Sequence, residues 1–236
     1  MTQRTALIIA NSVLPEPHII AACRAHAEVI ICADGGANRV REHGLVPDYI
    51  VGDLDSLTQE TRHFFSRAKL VSRPSQYATD LEKALTFAVE ENLARAFLLG
   101  VVGLRFDHQL VNLNMMEKFC HQIDLEMHDN FGVGNFIVAH KAPAMRTFAT
   151  FIRQQVSLIA FRRVEGITTT GLKYPLNNEA LEWAVRDGLS NEAVAEEIAI
   201  HVRSGNLFCY RVRDEKKRET SQALYHNQDE PLLTVR

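Results

Sequence analysis

The sequence predicts an α/β domain with a largely parallel sheet, followed by an antiparallel β domain. Short apolar runs alternate with helical patterns up to about Asn130, the habit of parallel strands covered by helices. From Phe131 to Arg213 threonine, β-branched and aromatic residues become denser between turn signals, as in antiparallel strands. Lys141-Ala142-Pro143 interrupts the pattern between them. The division therefore falls into residues 1–140, residues 141–213 and a charged, then polar, tail over 214–236.

In order along the chain, Leu7–Ala10 reads as a strand and Pro17 to His26 as a helix with one apolar face. Val29–Ala33 is a second strand, ending at Asp34-Gly35-Gly36, and Ala37 to His43 a short helix stopped by Gly44. Tyr49–Val51 is a third strand, ending at Gly52-Asp53. Ser56 to Ala68 is predicted helical with Ser56 as N-cap. Leu70–Val71 is extended, and Thr79 caps a helix through Asn92 whose Leu81, Ala84, Leu85, Ala88 and Val89 share a face. Ala96–Leu99 is a strand and Phe106 to Phe119 a helix. In the second half, turns are expected at Gly134-Asn135, Glu165-Gly166, Asn177-Asn178 and Gly205-Asn206.

Composition narrows the function. A formal net charge of -3 argues against a general nucleic-acid binder, although metal ions let such a protein hold a polyphosphate. The four cysteines are scattered with no C-x-x-C pair. Cys23 and Cys32 read as buried thiols of a reducing compartment. The apolar run near the N-terminus is too short for a signal peptide, and none is long enough to cross a bilayer. The expectation is a cytoplasmic enzyme or binding protein, with no membrane and no nucleic-acid partner.

Gly52-Asp53-Leu54-Asp55-Ser56 places two carboxylates just after a strand. Burying both unpaired is costly, and a hard divalent cation such as magnesium resolves their repulsion. Equally, Asp53 ends the strand while Asp55 or Ser56 caps the next helix. Asp34-Gly35-Gly36-Ala37-Asn38 adds a second strand-end acid with glycines that admit a phosphate or ribose, or that serve only the turn. Thr79-Asp80 adds an acid at a helix start, where the dipole favours it even without a ligand. Three such ends in one sheet favour a metal site, beyond the carboxyl ends of the strands where open sheets bind ligands. Gly103-Leu104-Arg105-Phe106-Asp107 offers Arg105 to phosphate oxygens, with Asp107 as cap or orienter. P-loop, G-x-G-x-x-G, H-E-x-x-H and G-x-S-x-G motifs are absent.

The order D-G-G-A-N, V-P-D-Y-I-V-G-D-L-D-S, Q-Y-A-T-D-L-E-K-A-L and R-F-D-H, followed by Val164–Leu176 and Gly188-Leu189-Ser190-Asn191, closely resembles the thiamine pyrophosphokinase family. The resemblance runs from about Leu7 to Arg213. Leu104 departs from the family's second glycine before the arginine, and Ser75 stands where a charged residue is usual.

The resemblance implies a three-layer Rossmann-like domain and a C-terminal antiparallel β-sandwich that binds thiamine and dimerises, with active sites between the subunits of a homodimer. It implies transfer of a pyrophosphoryl group from ATP to thiamine, giving thiamine diphosphate and AMP. Asp53, Asp55 and Asp80 would then hold magnesium on the triphosphate, and Asp34 would join them or orient the thiamine hydroxyl. Asn38, Gln76, Thr79, Arg105 and Asp107 would serve nucleotide and phosphates. Ser190 and Asn191 would contact thiamine, with Phe208 as its aromatic surface and Tyr174 as second choice. A pyrophosphokinase for a pterin-type alcohol, or a catalytically silent nucleotide- or thiamine-binding protein, are the competing readings.

Overall fold

The computed structural model describes residues 4–214. Five strands, β1 (Thr5–Ile9), β2 (Val29–Ala33), β3 (Tyr49–Gly52), β4 (Lys69–Ser72) and β5 (Arg95–Leu99), pair in parallel in the order β5-β1-β2-β3-β4. Every residue of β2 is buried, which is why its sequence reads as a continuous apolar run instead of an alternating one. Alternate residues feed two layers. Ala6, Ile8, Ile31 and Leu98 pack with α4 (Asp80–Glu90) and α5 (Phe106–Phe119) through Leu81, Ala84, Leu85 and Met116. Leu7, Ile9, Ile30 and Cys32 pack with α1 (Pro17–Ala25) through Ile19, Ile20 and Cys23. Cys23 and Cys32 are buried free thiols.

The two other helices of this half are short. α2 (Gly36–Val40) runs into a single turn of 3-10 helix ended by Gly44, whose φ of 66° is left-handed. α3 covers only Gln59–Phe64, not Ser56 to Ala68. Its N-cap is Thr58, whose hydroxyl accepts the Thr61 N–H at 3.1 Å. Ser56 is drawn instead into the turn above β2, its N–H directed at Asp34 Oδ2 at 3.4 Å.

The sheet does not stop at the parallel strands. β6 (Asp124–His128) pairs with β5, and β7 (Gly132–Ala139) then turns back antiparallel. β9 (Gln155–Ile159), β12 (Gly188–Glu192) and β14 (Gly205–Val212) extend it, giving ten strands in the order β12-β9-β14-β7-β6-β5-β1-β2-β3-β4. A second sheet of β8 (Ala144–Ala149), β10 (Val164–Thr170), β11 (Glu179–Leu181) and β13 (Glu197–Val202) packs on its antiparallel end. Their shared core holds Ile137, Val156, Leu158 and Leu207 against Ile167, Ile198, Ile200 and Val202. The result is a three-layer α/β half continued by a β-sandwich, as the sequence predicts.

Two expected turns lie inside strands, and a third, Gly205-Asn206, forms the first two residues of β14, paired with Ala139 and Val138. Gly134-Asn135 sits in the middle of β7. A Cβ on Gly134 would strike the Phe208 ring, and Asn135 is fully buried, hydrogen-bonded to Glu126 and Arg211. Glu165-Gly166 is a register shift within β10, with Gly166 at φ 65°, so it bends the strand without reversing it. Among the described residues no helix is long and apolar enough to cross a membrane. Apart from Asp214, the 214–236 tail lies outside the described residues.

Candidate active site

Asp34, Asp53 and Asp80 converge. One carboxylate oxygen of each lies within 4.8 Å of the others. Asp34 stands at the carboxyl end of β2 with φ 39°, its N–H bonded to Val51 O. It is 0% exposed, and its Oδ1 has no hydrogen-bond partner. A buried carboxylate oxygen without a partner is costly, and a proton, a water or a cation would each relieve it. Asp53 follows β3, and Asp80 opens α4 behind the Thr79 cap, whose hydroxyl accepts the Glu82 N–H at 3.2 Å.

Between Asp53 and Asp55, Leu54 takes φ 69°. That conformation is uncommon for a branched residue. Asp53 belongs to the converging group, whereas Asp55 is exposed and accepts from Ser56 Oγ at 3.1 Å. Asp55 is thus at the mouth of the site and not among the three converging acids.

Lys83 is the residue that sequence reasoning passes over. Its side chain is 4% exposed, and Nζ donates to Asp53 Oδ2 at 2.6 Å and to Asp80 Oδ1 at 3.1 Å. The signal was its place three residues after Asp80, on the same side of the helix. The Lys83 hydrogen bond pulls the Asp53 carboxyl well below its usual range. Asp34 moves the other way, raised first by burial and then by the Asp80 charge and the Asp53 hydrogen bond. Three carboxylates around one point, one with an orphaned oxygen, suit magnesium, which takes few carboxylates and several further oxygens.

The remaining predicted residues divide by what their polar groups already do. Gln76 Nε2 lies 3.5 Å from Asp53 Oδ2, beside the acids. Asn38 donates to Ser56 O at 2.8 Å and accepts from Thr58 N and Oγ1, tying α2 to the turn that carries Asp53 and Asp55. The Arg105 fork closes on Asp107 at 3.1 and 2.6 Å, in solvent. Leu104 is absent from the positive-φ residues and is exposed, so replacing a glycine here strains nothing. A second unpredicted cation, Arg39, is exposed and held through Nε by Asn11 Oδ1 at 3.2 Å. Asn11 lies against Gly35, at the carboxyl end of β1.

Ser190 and Asn191 are on β12. A register shift between Gly188 and Asn191 forms a bulge there, with Ser190 at φ 56°, its N–H on Ser157 Oγ and its side chain exposed. Asn191 is nearly buried. Its amide donates to Tyr174 O at 2.7 Å and accepts from Tyr174 N at 3.1 Å, so it latches the Gly171–Leu176 loop to β12. Phe208 is no open surface. It is 3% exposed, covers Gly134, and packs among Phe136, Phe161 and Tyr210. Two aromatics near Ser190 are open: Tyr174, 65% exposed, and Trp183, 58% exposed and stacked on Phe161 in the hairpin leading to Ser190.

Asp34 and Asp53 end β2 and β3, while Ser190 and Asn191 lie on β12 at the opposite edge of the ten-stranded sheet. Seven strand spacings, roughly 30 Å, separate β2 from β12.

Comparison with known proteins places this geometry. Residues 21–127 match the family described as thiamin pyrophosphokinase, catalytic domain, and residues 149–207 match thiamin pyrophosphokinase, vitamin B1 binding domain. Thiamine pyrophosphokinase 2 of Oryza sativa subsp. japonica is 26% identical, the match covering 90% of this chain and 88% of the relative. Thiamine pyrophosphokinase of Bacillus subtilis (strain 168) is 27% identical over 78% of this chain and 87% of its own. A crystal structure of thiamine pyrophosphokinase from Bacillus subtilis superposes with TM-score 0.77 at 25% identity, covering 89% of this chain and 100% of that one. Thiamin pyrophosphokinase from Candida albicans shares the fold at TM-score 0.77 and 18% identity, over 90% of each chain. With both of its halves matched in order, the chain belongs to the thiamin pyrophosphokinase family.

Proposed function

We propose that this protein is a thiamine pyrophosphokinase, transferring the pyrophosphoryl group of ATP to the hydroxyl of thiamine to give thiamine diphosphate and AMP. The convergence of Asp34, Asp53 and Asp80 at the carboxyl ends of a parallel sheet carries the reading. These three acids would hold magnesium, with exposed Asp55 next to Asp53 as a further oxygen donor. Magnesium there neutralises polyphosphate charge and orients it, the main work in phosphoryl transfer. Gln76, Thr79, Arg105 and Asp107 line the approach of the nucleotide, and Arg39 adds a cation with no acidic partner among the described residues. Asn38 fixes the turn that carries Asp53 and Asp55.

Thiamine binds at the other sheet edge, where Ser190 offers an open hydroxyl, Asn191 shapes the loop, and Trp183 offers a π-face to the thiazolium cation. The roughly 30 Å between the two residue sets supports a homodimer in which each site joins the aspartates of one subunit to the β12 edge of the other. Exposed Tyr174, Val185 and Leu189 beside Ser190, at 65%, 74% and 67%, favour a partner surface there. The cytoplasm, with its ATP, magnesium and reducing conditions, suits four free cysteines.

Purified protein incubated with ATP, magnesium and thiamine is expected to release AMP and thiamine diphosphate together. Thiamine binding without AMP release would reduce the chain to a binding protein. AMP release only with a pterin alcohol would move the substrate.

A further inference from the structure

Lys83 presents a problem that the metal site alone does not explain. A lysine is almost never buried unless paired, yet this one is driven to 4% side-chain exposure between two acids of the proposed magnesium site. It is not a surface residue folded over by chance. It lies on α4 between the core residues Leu81, Ala84 and Leu85, and the helix brings Nζ back onto Asp80 and across to Asp53. Asp53 Oδ2 and Asp80 Oδ1 each take one of its hydrogen bonds, Asp53 Oδ1 accepts the long Asp55 N–H contact at 3.4 Å, and Asp34 Oδ1 has no partner at all.

Three carboxylates without a counter-charge form a strong trap for any divalent cation. They also repel a polyphosphate, since like charges at these separations are costly in a partly desolvated site. A resident ammonium reverses both tendencies. From this arrangement we propose that Lys83 is a charge-balancing and positioning residue: it keeps the three acids from holding a bare divalent cation tightly, so that the metal arrives with its nucleotide and leaves with the products. The proposal rests on the pyrophosphokinase reading for the identity of the polyphosphate, but its first measurement needs neither ATP nor thiamine.

The test is a titration of the nucleotide-free protein with Mn²⁺ alone, free ion being followed by its electron paramagnetic resonance signal. Lys83→Gln removes the charge and keeps two hydrogen-bond donors. It is expected to bind Mn²⁺ at least 10-fold more tightly than the wild type, while its KM for magnesium–ATP rises at least 10-fold. A lysine that served only to hold the fold would loosen both. Lys83→Arg keeps the charge and is expected to stay within about 3-fold of the wild type for Mn²⁺. Unchanged or weaker Mn²⁺ binding by Lys83→Gln, with an unaltered circular dichroism spectrum, overturns the proposal. Should Lys83→Gln not fold, a 10-fold gain in Mn²⁺ affinity for Lys83→Arg would overturn it instead, and wild-type-like affinity would support it. A wild type that binds Mn²⁺ but turns over no ATP would count against the pyrophosphokinase reading and leave the Mn²⁺ comparison intact.

Discussion

Gly52 and Asp34 are in direct contact across the ends of neighbouring strands: a Cβ built on Gly52 would stand 2.6 Å from the Cβ of Asp34. No real pair of carbon atoms tolerates that approach, so glycine at position 52 is what lets the buried carboxylate sit against Asp53. Gly52→Ala should move Asp34 and little else. The expected outcome is a loss of turnover of at least 100-fold, with a stability cost of about 1–3 kcal/mol typical of overpacking. Steady-state kinetics beside a urea denaturation curve checks it. Retained turnover would mean that Asp34 is dispensable, and the triad with it.

Trp183 is the only tryptophan in the chain, so its fluorescence reports on one place. If thiamine stacks there, titration with thiamine quenches or shifts that emission in a saturable way. Trp183→Ala is expected to raise KM for thiamine at least 10-fold and leave KM for ATP within about 2-fold. Since the indole is exposed, stability should change by no more than about 1 kcal/mol. Phe208→Ala should show the contrasting pattern, losing about 3–5 kcal/mol as a core cavity forms. Flat fluorescence throughout the titration would remove Trp183 from the site.

The contrast between these two aromatics shows what the sequence could and could not convey. The parallel half was legible because its strands are buried on both faces and its helices repeat at 3.6 residues. Val29–Ala33 and Phe106–Phe119 are read to the residue. The acids were legible because charge at a strand end has few uses. Lys83 was not, because a lysine inside an amphipathic helix reads as solvated, and only the fold brings Asp53 to it. In the β half, Gly134-Asn135 looks like a turn because its actual reasons, the Phe208 ring and a buried polar seam, come from distant strands. Phe208 and Trp183 are indistinguishable as aromatics in a β-rich stretch until burial separates them.

That polar seam gives a prediction about pH. Glu126 on β6 accepts from Arg95 at 2.9 Å, from Asn135 at 3.1 Å and from His128 Nε2 at 2.8 Å. Arg213 donates to His128 Nδ1 at 2.8 Å, so the tautomer with Nε2–H facing Glu126 fits the network. Burial alone would raise the Glu126 carboxyl, but the His128 and Asn135 hydrogen bonds and the nearby charges hold it down at about 2. A carboxyl lowered on folding contributes stability above its unfolded value near 4.5, lost as pH falls through the folded value. The window is therefore about pH 4.5 down to about 2, and the contribution at neutral pH is roughly 3 kcal/mol. Wild-type unfolding free energy should fall steeply across this window, and Glu126→Gln should be less stable at pH 7 with a flatter acid limb. Parallel limbs for the two proteins would show that Glu126 carries no such linkage.

The separation of the aspartates from the β12 edge makes the shared site testable without any structure of a dimer. Asp80→Asn disables the metal half of a chain, and Trp183→Ala its thiamine half. If both halves of a site came from one chain, no mixture of these variants could rebuild one. If each site joins two subunits, a mixed dimer holds one site with both defects and one with none. Random reassortment of equal amounts makes half the dimers mixed, so about a quarter of all sites should be intact, as twofold symmetry requires. Each variant is to be assayed alone, then after co-refolding, at a thiamine concentration near the wild-type KM. The expected result is recovery of about a quarter of wild-type activity, against a parental average of about a tenth, since Asp80→Asn is nearly inactive and Trp183→Ala with an about 10-fold higher KM keeps about a fifth. Activity no greater than the average of the parents, with exchange verified by a size or affinity tag, would place the whole site within one chain. The thiamine contacts would then have to be sought near Asp34 and Asp53, not on β12.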